Sequence, residues 1–256
     1  MSELLRERQG HVEILTINRP EARNAINGAV SRGFVAAFDE LEEDDDCWVV
    51  IVTGAGDKAF SAGMDLKAFA AGEVGDIMGS KGGFAGITQR EFPKPMIAAV
   101  NGSALAGGCE IMLACDLVVA VEAAKFGIPE VKRGLIAGGG GLIRLPKRLP
   151  AAIALELALT GDSIDAERAL ALGLINRVVP ADKLMEEATA LAETIAANAP
   201  LAVKTSKRVM KQAAELPEAE GWVLNSQAVP EVFGSADAME GPIAFAEKRK
   251  PNWTGK

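Results

Sequence analysis

Histidine is nearly missing from this 256-residue chain, which holds only His11. A metal site built on imidazoles is therefore an unlikely design, and a serine hydrolase would have to run on that one ring. The segment AFSAG at 59–63 is a near miss for the G-x-S-x-G elbow, with Ala59 where glycine belongs. No G-x-x-x-x-G-K-[ST] phosphate loop occurs, and the glycine run at 138–141 is not a G-x-G-x-x-G following a strand. Hydrolase, P-loop and dinucleotide-binding readings thus have little support. Cysteine is scarce too, with Cys47, Cys109 and Cys115 an odd number in a long chain. That pattern predicts reduced thiols and a cytoplasmic location, with Cys109 and Cys115 inert in an apolar helix. No apolar run reaches transmembrane length, and the start MSELLRERQG is polar rather than a signal peptide. Without a secretory signal, NGS at 101–103 and NWT at 252–254 are chance matches to the glycosylation pattern.

Positive charge is in deficit. The net charge is −8 and the pI about 4.9, which argues against a nucleic-acid partner or a membrane surface. A local cluster of cations can still bind a small anion. The acidic run DELEEDDD at 39–46 has no turn glycine and reads as a solvated helix end, not a calcium loop.

What is abundant is apolar residues, at 49%, and glycine, at 27 residues against a usual ~7%. The chain is soluble and globular in class and long enough for a large core. HVEILTINRP reads as a strand, and NAINGAVSRGFVAAFDELEED as a helix. CWVVIVTGAG and KPMIAAVNG are continuous apolar runs, the mark of strands covered on both faces. GGCEIMLACD switches to helix and LVVAVEAAKFG returns to strand. The alternation predicts an α/β fold with parallel pairing. Beyond Gly141 the pattern is mostly helical: one helix stops at Gly161, another runs from an aspartate start in DAERALALG, LINRVV is a short strand, and a third helix is capped by Asp182. A boundary near 199–200 divides the chain into 1–199 and 200–256. The segment 72–86, with six glycines and little periodicity, reads as a mobile loop of the kind that often carries function.

One residue breaks the apolar pattern. In NGSALAGGCEIMLACD the stretch after Gly107 is small or apolar as far as Asp116, except for Glu110. A carboxylate so placed is either paired or chemically active. A second unusual glutamate, Glu130, follows in KFGIPEVKRGLIAGGGG, one helix, one strand and a turn later. Helix and strand run in opposite directions in a layered fold, so both carboxylates can return to one end. Two carboxylates in one apolar pocket have pKa values pushed upward and apart, which prepares one acid and one base. Against this stands a plainer arrangement, with Glu110 paired to Arg144 or Arg133 and Glu130 on the surface. Gly107 and Gly108 open a helix, and their N–H groups are among its unpaired donors. The turn in AFSAGMDL offers the Met64 N–H likewise, and two such donors converging on a carbonyl oxygen make an oxyanion hole.

FSAGMDL, NGSALAGGCEIMLACD, FGIPEVKRGLIAGGGG and the tail FAEKRKPNW occur in order. Together they resemble the crotonase family, also called the enoyl-CoA hydratase/isomerase superfamily, over nearly the whole chain. The resemblance implies a spiral of ββα repeats, here 1–199, followed by a helical oligomerisation region, 200–256, that makes a homotrimer or a dimer of trimers. It implies an acyl-CoA thioester substrate, with coenzyme A part of the substrate and no separate cofactor or metal. The oxyanion donors fall on Met64 and Gly107. Family hydratases carry both glutamates, matching Glu110 as base on a water and Glu130 as the acid supplying the α-proton. Gly138 matches a glycine that leaves room for substrate. The family holds the CoA and acyl groups near RPEARNA, along AGMDLK and beside the second glutamate. The matching positions are Arg23, Ala25, Ala62, Asp65, Leu66, Lys67 and Pro129, with Lys248 from a neighbouring subunit. Ala106 departs from the pattern, standing where many members have glycine, and IAGGGG replaces a more frequent I-P-x-x-G-G form. The reaction expected is hydration of a trans-2-enoyl-CoA. The alternatives are a carnitinyl-CoA dehydratase, a Δ3-Δ2 enoyl-CoA isomerase or, outside enzymes, a noncatalytic acyl-CoA-binding protein.

Overall fold

Strand β1 (Leu4–Gln9) and strand β2 (Val12–Ile17) open the chain as an antiparallel hairpin. These and all later descriptions come from a computed structural model and cover residues 2–256. Helix α1 (Gly28–Glu43) follows, with the Asn27 side chain accepting from the Val30 N–H at 3.0 Å. Its buried stripe of Val30, Phe34, Ala37, Phe38 and Leu41 recurs every three or four residues, the helical period. Strand β3 (Val49–Gly54) is buried at every position, as its unbroken apolar run predicts. Next come β4 (Ala59–Ser61), α2 (Leu66–Ala70), α3 (Val74–Met78), β5 (Met96–Val100), β6 (Ser103–Leu105), α4 (Gly107–Ala114), β7 (Leu117–Val121) and β8 (Lys125–Gly127). The C-terminal part holds α5 (Gly141–Arg148), α6 (Ala151–Thr160), β9 (Ile164–Asp165), α7 (Ala166–Ala171), β10 (Arg177–Val179), α8 (Leu184–Ala196), α9 (Pro200–Ala213), α10 (Glu218–Phe233) and α11 (Ala236–Glu247).

Two sheets result. The larger has the order β1-β2-β3-β5-β7-β10 and is parallel from β2 onward. The smaller has the order β4-β6-β8-β9, with β4, β6 and β8 parallel. Helix α4 is buried at all eight positions, so it has no solvent face and no amphipathic stripe. Helix α9 is fastened to the core by the half-buried Lys207, whose Nζ donates to the Lys94 carbonyl at 2.6 Å and pairs with Asp116 at 2.7 Å.

The structure adds detail to some readings and corrects others. The polar start of the chain is a strand: β1 is an edge with mostly exposed side chains, and Arg6 and Arg8 both pair with the buried Glu13. The 72–86 segment is not a featureless loop. It contains α3 and a 3-10 turn (Phe84–Gly86), and it docks on α1 where Glu73 accepts from the Gly28 N–H at 2.8 Å. The acidic run is tied by ion pairs, with Asp39 to Lys81 and Arg90, and Asp44 to Arg8. Asp182 does not cap α8, which begins without a side-chain cap after a 3-10 turn (Ala181–Lys183). Asp165 does cap α7, accepting from Arg168 N at 2.8 Å, and Gly161 ends α6 in the left-handed conformation. No helix among the described residues is long and apolar enough to cross a membrane.

Candidate active site

The parallel pairing of β4, β6 and β8 fixes the site. Parallel neighbours leave a sheet at the same edge, so the residues that follow each strand gather there. After β4 comes Met64, after β6 come Gly107 and Glu110, and after β8 comes Glu130. The register Ala104↔Phe126 and the bond from Ala106 N to Gly127 O (2.9 Å) lock the exits of β6 and β8 side by side.

Glu110 lies on the first turn of α4 and is 3% exposed. No arginine pairs with it. Its Oε1 accepts from the Gly141 N–H at 2.9 Å, at the start of α5, where the unpaired amides favour an anion. Burial raises its pKa, while the amides of Gly141, Gly139 and Gly140 and the charge of Arg144 pull the other way. The plainer arrangement, a Glu110–arginine pair, is thus absent. Arg144 donates instead to the carbonyls of Thr88 and Gly139, and Arg133 is exposed.

Glu130 sits on a 3-10 turn (Pro129–Arg133) that starts at a proline. Burial first, then the charge of Glu110, raises its pKa to about 7. Its Oε2 is buried with no hydrogen-bond partner. A half-buried carboxyl that is protonated part of the time at neutral pH, beside a second carboxylate, is equipped to exchange a proton with something between them.

The Met64 and Gly107 amides are unpartnered donors on touching segments. Met64 forms a parallel bridge with Ile26, in which Ile26 N binds Gly63 O and Asp65 N binds Ile26 O, both at 2.8 Å. That pattern turns the Met64 N–H away from Ile26, and neither it nor the Gly107 N–H has an acceptor among the described residues. The two segments touch: a Cβ on Gly63 would lie 2.7 Å from Gly107 N, and a Cβ on Gly107 would strike the Phe84 ring. Ala106, directly before Gly107, holds φ +52° and ψ −130°, a conformation that favours glycine.

Of the remaining candidates, Arg23 and Ala25 precede α1, and Ala62 to Lys67 lead into α2. The Arg23 carbonyl accepts from Ala62 N at 3.0 Å, so the RPEARNA turn and the AGMDLK segment are adjacent. Arg23 and Lys67 are exposed and form no ion pair, Ala25 is buried, and Ala62 and Leu66 are exposed. The Asp65 carboxylate is committed to capping α2 and to Arg19 (2.9 Å), which leaves its main chain for any ligand. Pro129 starts the turn that carries Glu130. Lys248 caps α11, and no hydrogen bond or ion pair links it to Arg23, Lys67 or either glutamate. Open space surrounds Gly138, where a Cβ would meet only Met78 Cε, at 3.9 Å, and Ile136 O. The glycine that room for Glu110 requires is Gly139, whose Cβ would fall 2.6 Å from Oε2. The sequence reading missed Gly139, Gly141 and Phe84. The run of four glycines was the available signal for the first two. His11 is far from this constellation in role, stacking on Trp48 at 3.6 Å and bonding the Asp46 carbonyl. No group of three or more His, Cys, Asp or Glu among the described residues is placed to hold a metal.

The family model described as enoyl-CoA hydratase/isomerase matches residues 7–256. The chain belongs to the enoyl-CoA hydratase/isomerase family. Within that family, an enoyl-CoA hydratase from Mycobacterium tuberculosis H37Rv shares its fold at TM-score 0.96 with 52% identity, both chains covered in full. A carnitinyl-CoA hydratase from Mycobacterium avium is 48% identical at TM-score 0.79, again over both full lengths. The carnitinyl-CoA dehydratase of Salmonella typhi is 45% identical over 262 residues, covering all of each chain. The crotonase-type α/β fold expected from the motifs is the fold observed.

Proposed function

We infer that the chain is a hydro-lyase that adds water reversibly across the double bond of a trans-2-enoyl-CoA. One observation carries this reading: Glu110, Glu130 and two unpartnered amides leave adjacent parallel strands at one edge. The thioester oxygen takes the Met64 and Gly107 N–H groups, which stabilise it as it gains negative charge. Glu110, anchored through Oε1 by the Gly141 N–H, takes a proton from water as the oxygen bonds the β-carbon. Glu130, protonated, gives a proton to the α-carbon. Dehydration is the same path reversed. Coenzyme A enters as part of the substrate, and the reaction calls on no metal or redox group.

The relatives named for carnitinyl-CoA support a second reading, the same chemistry on a trimethylammonium-bearing acyl group. The deciding assay is loss of the enoyl absorbance of crotonyl-CoA by the wild type, with crotonobetainyl-CoA alongside. Turnover of neither, with CoA still bound, sinks the hydratase reading and leaves the noncatalytic binder or the isomerase.

The region 200–256 is assigned to self-assembly as a homotrimer or dimer of trimers, supported by apolar side chains left in solvent on α10 and α11. Phe233 is 76% and Phe245 87% exposed. In such an assembly Lys248 would reach the CoA of a neighbour. Three buried free thiols support a cytoplasmic location.

A further inference from the structure

Arg144 has no carboxylate partner, although it is half-buried and close enough to Glu110 for its charge to act there. Its guanidinium is spent on two main-chain carbonyls. Nη2 donates to Thr88 O, and Nη1 donates to Gly139 O at 3.4 Å. Those carbonyls belong to different walls of the site. Gly139 leads into Gly141, whose N–H holds Glu110. Thr88 closes the turn that starts at Phe84, through its N–H to Phe84 O at 3.3 Å, and the Phe84 ring backs Gly107. The backbone makes room for this link: Gly140 has φ +111°, and a Cβ there would collide with Arg144 Nη1. Around the guanidinium lie Glu110 on α4, Arg148 one turn further along α5, and Cys115. Only Glu110 among these is an acid of the site, and it is not hydrogen-bonded to the arginine.

We propose that Arg144 is a positioning residue for the hydration reaction: it clamps the glycine turn holding Glu110 to the 84–88 segment behind Gly107. The base and one oxyanion donor are thereby kept at a fixed separation, which addition of water to the β-carbon of a bound enoyl group requires. The rigid planar fork of an arginine holds two carbonyls on different walls at a set spacing, which the single, freely rotating ammonium of a lysine does not impose. The inference rests on the hydratase reading for its catalytic meaning, but the clamp itself is testable without turnover.

The experiment compares Arg144→Lys and Arg144→Met with the wild type in two readouts. In crotonyl-CoA hydration, kcat is expected to fall about 10²-fold in both variants, with KM held within about threefold. In amide hydrogen exchange by mass spectrometry, segments 84–88 and 138–143 are expected to exchange about tenfold faster in both variants, and the rest of the chain at the wild-type rate. Unchanged kcat, a rise in KM alone, or unchanged exchange in the two segments overturns the proposal. So does failure of both variants to fold, or faster exchange across the whole chain, because the arginine is then a general structural requirement. Inert wild type with faster exchange confined to the two segments sinks the hydratase reading and leaves the clamp standing.

Discussion

The carboxylate of Glu110 and the amide of Gly141 are 31 positions apart in sequence and 2.9 Å apart in space. That bond replaces an arginine counter-ion with a backbone dipole. A buried carboxylate so held stays reachable by water from its other oxygen, whereas a bidentate arginine would occupy both. The arrangement suits a base better than a structural ion pair.

Glu110→Gln and Glu130→Gln are each expected to lower kcat on crotonyl-CoA by about 10²–10⁴-fold, the usual worth of a positioned acid or base. Binding of CoA, followed by calorimetry, should persist in both. Near-wild-type turnover in either variant removes that glutamate from the reaction.

The pKa of Glu130, raised to about 7, gives a pH dependence of defined sign. As the proton donor for hydration it must be protonated, so kcat/KM for hydration falls as pH rises through about 7. Glu130→Gln lowers activity and also removes a pH-dependent contribution to stability. A carboxyl whose folded pKa lies above its unfolded value contributes stability that is fully present below about 4.5 and is lost as pH rises through about 7. At pH 8 the Gln variant should therefore melt above the wild type, and at pH 4 the difference should vanish. A wild type that melts higher at both pH values contradicts the environment assigned to Glu130.

Neighbouring glycines should respond oppositely to one methyl group. Gly139→Ala drives a Cβ to 2.6 Å from Glu110 Oε2, and a displaced base is expected to cost about 10²-fold in kcat. Gly138→Ala meets nothing closer than 3.9 Å and should leave kcat within about twofold. Equal losses in the two variants would place the steric limit elsewhere.

Ala106 pays a backbone penalty of about 1–3 kcal/mol for its φ of +52°. Ala106→Gly relieves it, against about 0.4–1 kcal/mol of added unfolded-state entropy. The net expectation is a Tm higher by about 2–4 °C in a thermal melt. A lower Tm would mean that the Ala106 methyl packs for more than its strain.

How far the sequence could be read follows from what each residue must satisfy. Strands β3 and β5 were plain because both faces are covered, so nearly every letter is apolar. The edge strand β1 was hidden because its exposed side chains are charged and its partner supplies the pairing. The 72–86 segment hid its helix behind glycines whose positive φ serves turns, at Gly82, Gly83 and Gly86. Glu110 stood out as the one acid in a buried helix. Its partner did not, because a backbone N–H carries no signature in the letters, and neither did the Arg144 clamp, whose acceptors are carbonyls. For Gly138 and Gly139 the letter was identical and only the geometry told them apart.

The parallel order of the larger sheet has a consequence for how the chain comes together. Only the β1–β2 pair is joined by a tight turn; β2 with β3, β3 with β5, and β5 with β7 each join segments separated by a crossover. The last strand, β10, ends at Val179 and pairs with β7. Each ladder must close a long loop before its contacts repay the lost chain freedom, so assembly is slow. During synthesis β7 lacks its second neighbour until some 180 residues have left the ribosome. Until then β7, four of whose five residues are buried in the finished fold, is a bare edge that a second nascent copy or a chaperone can occupy.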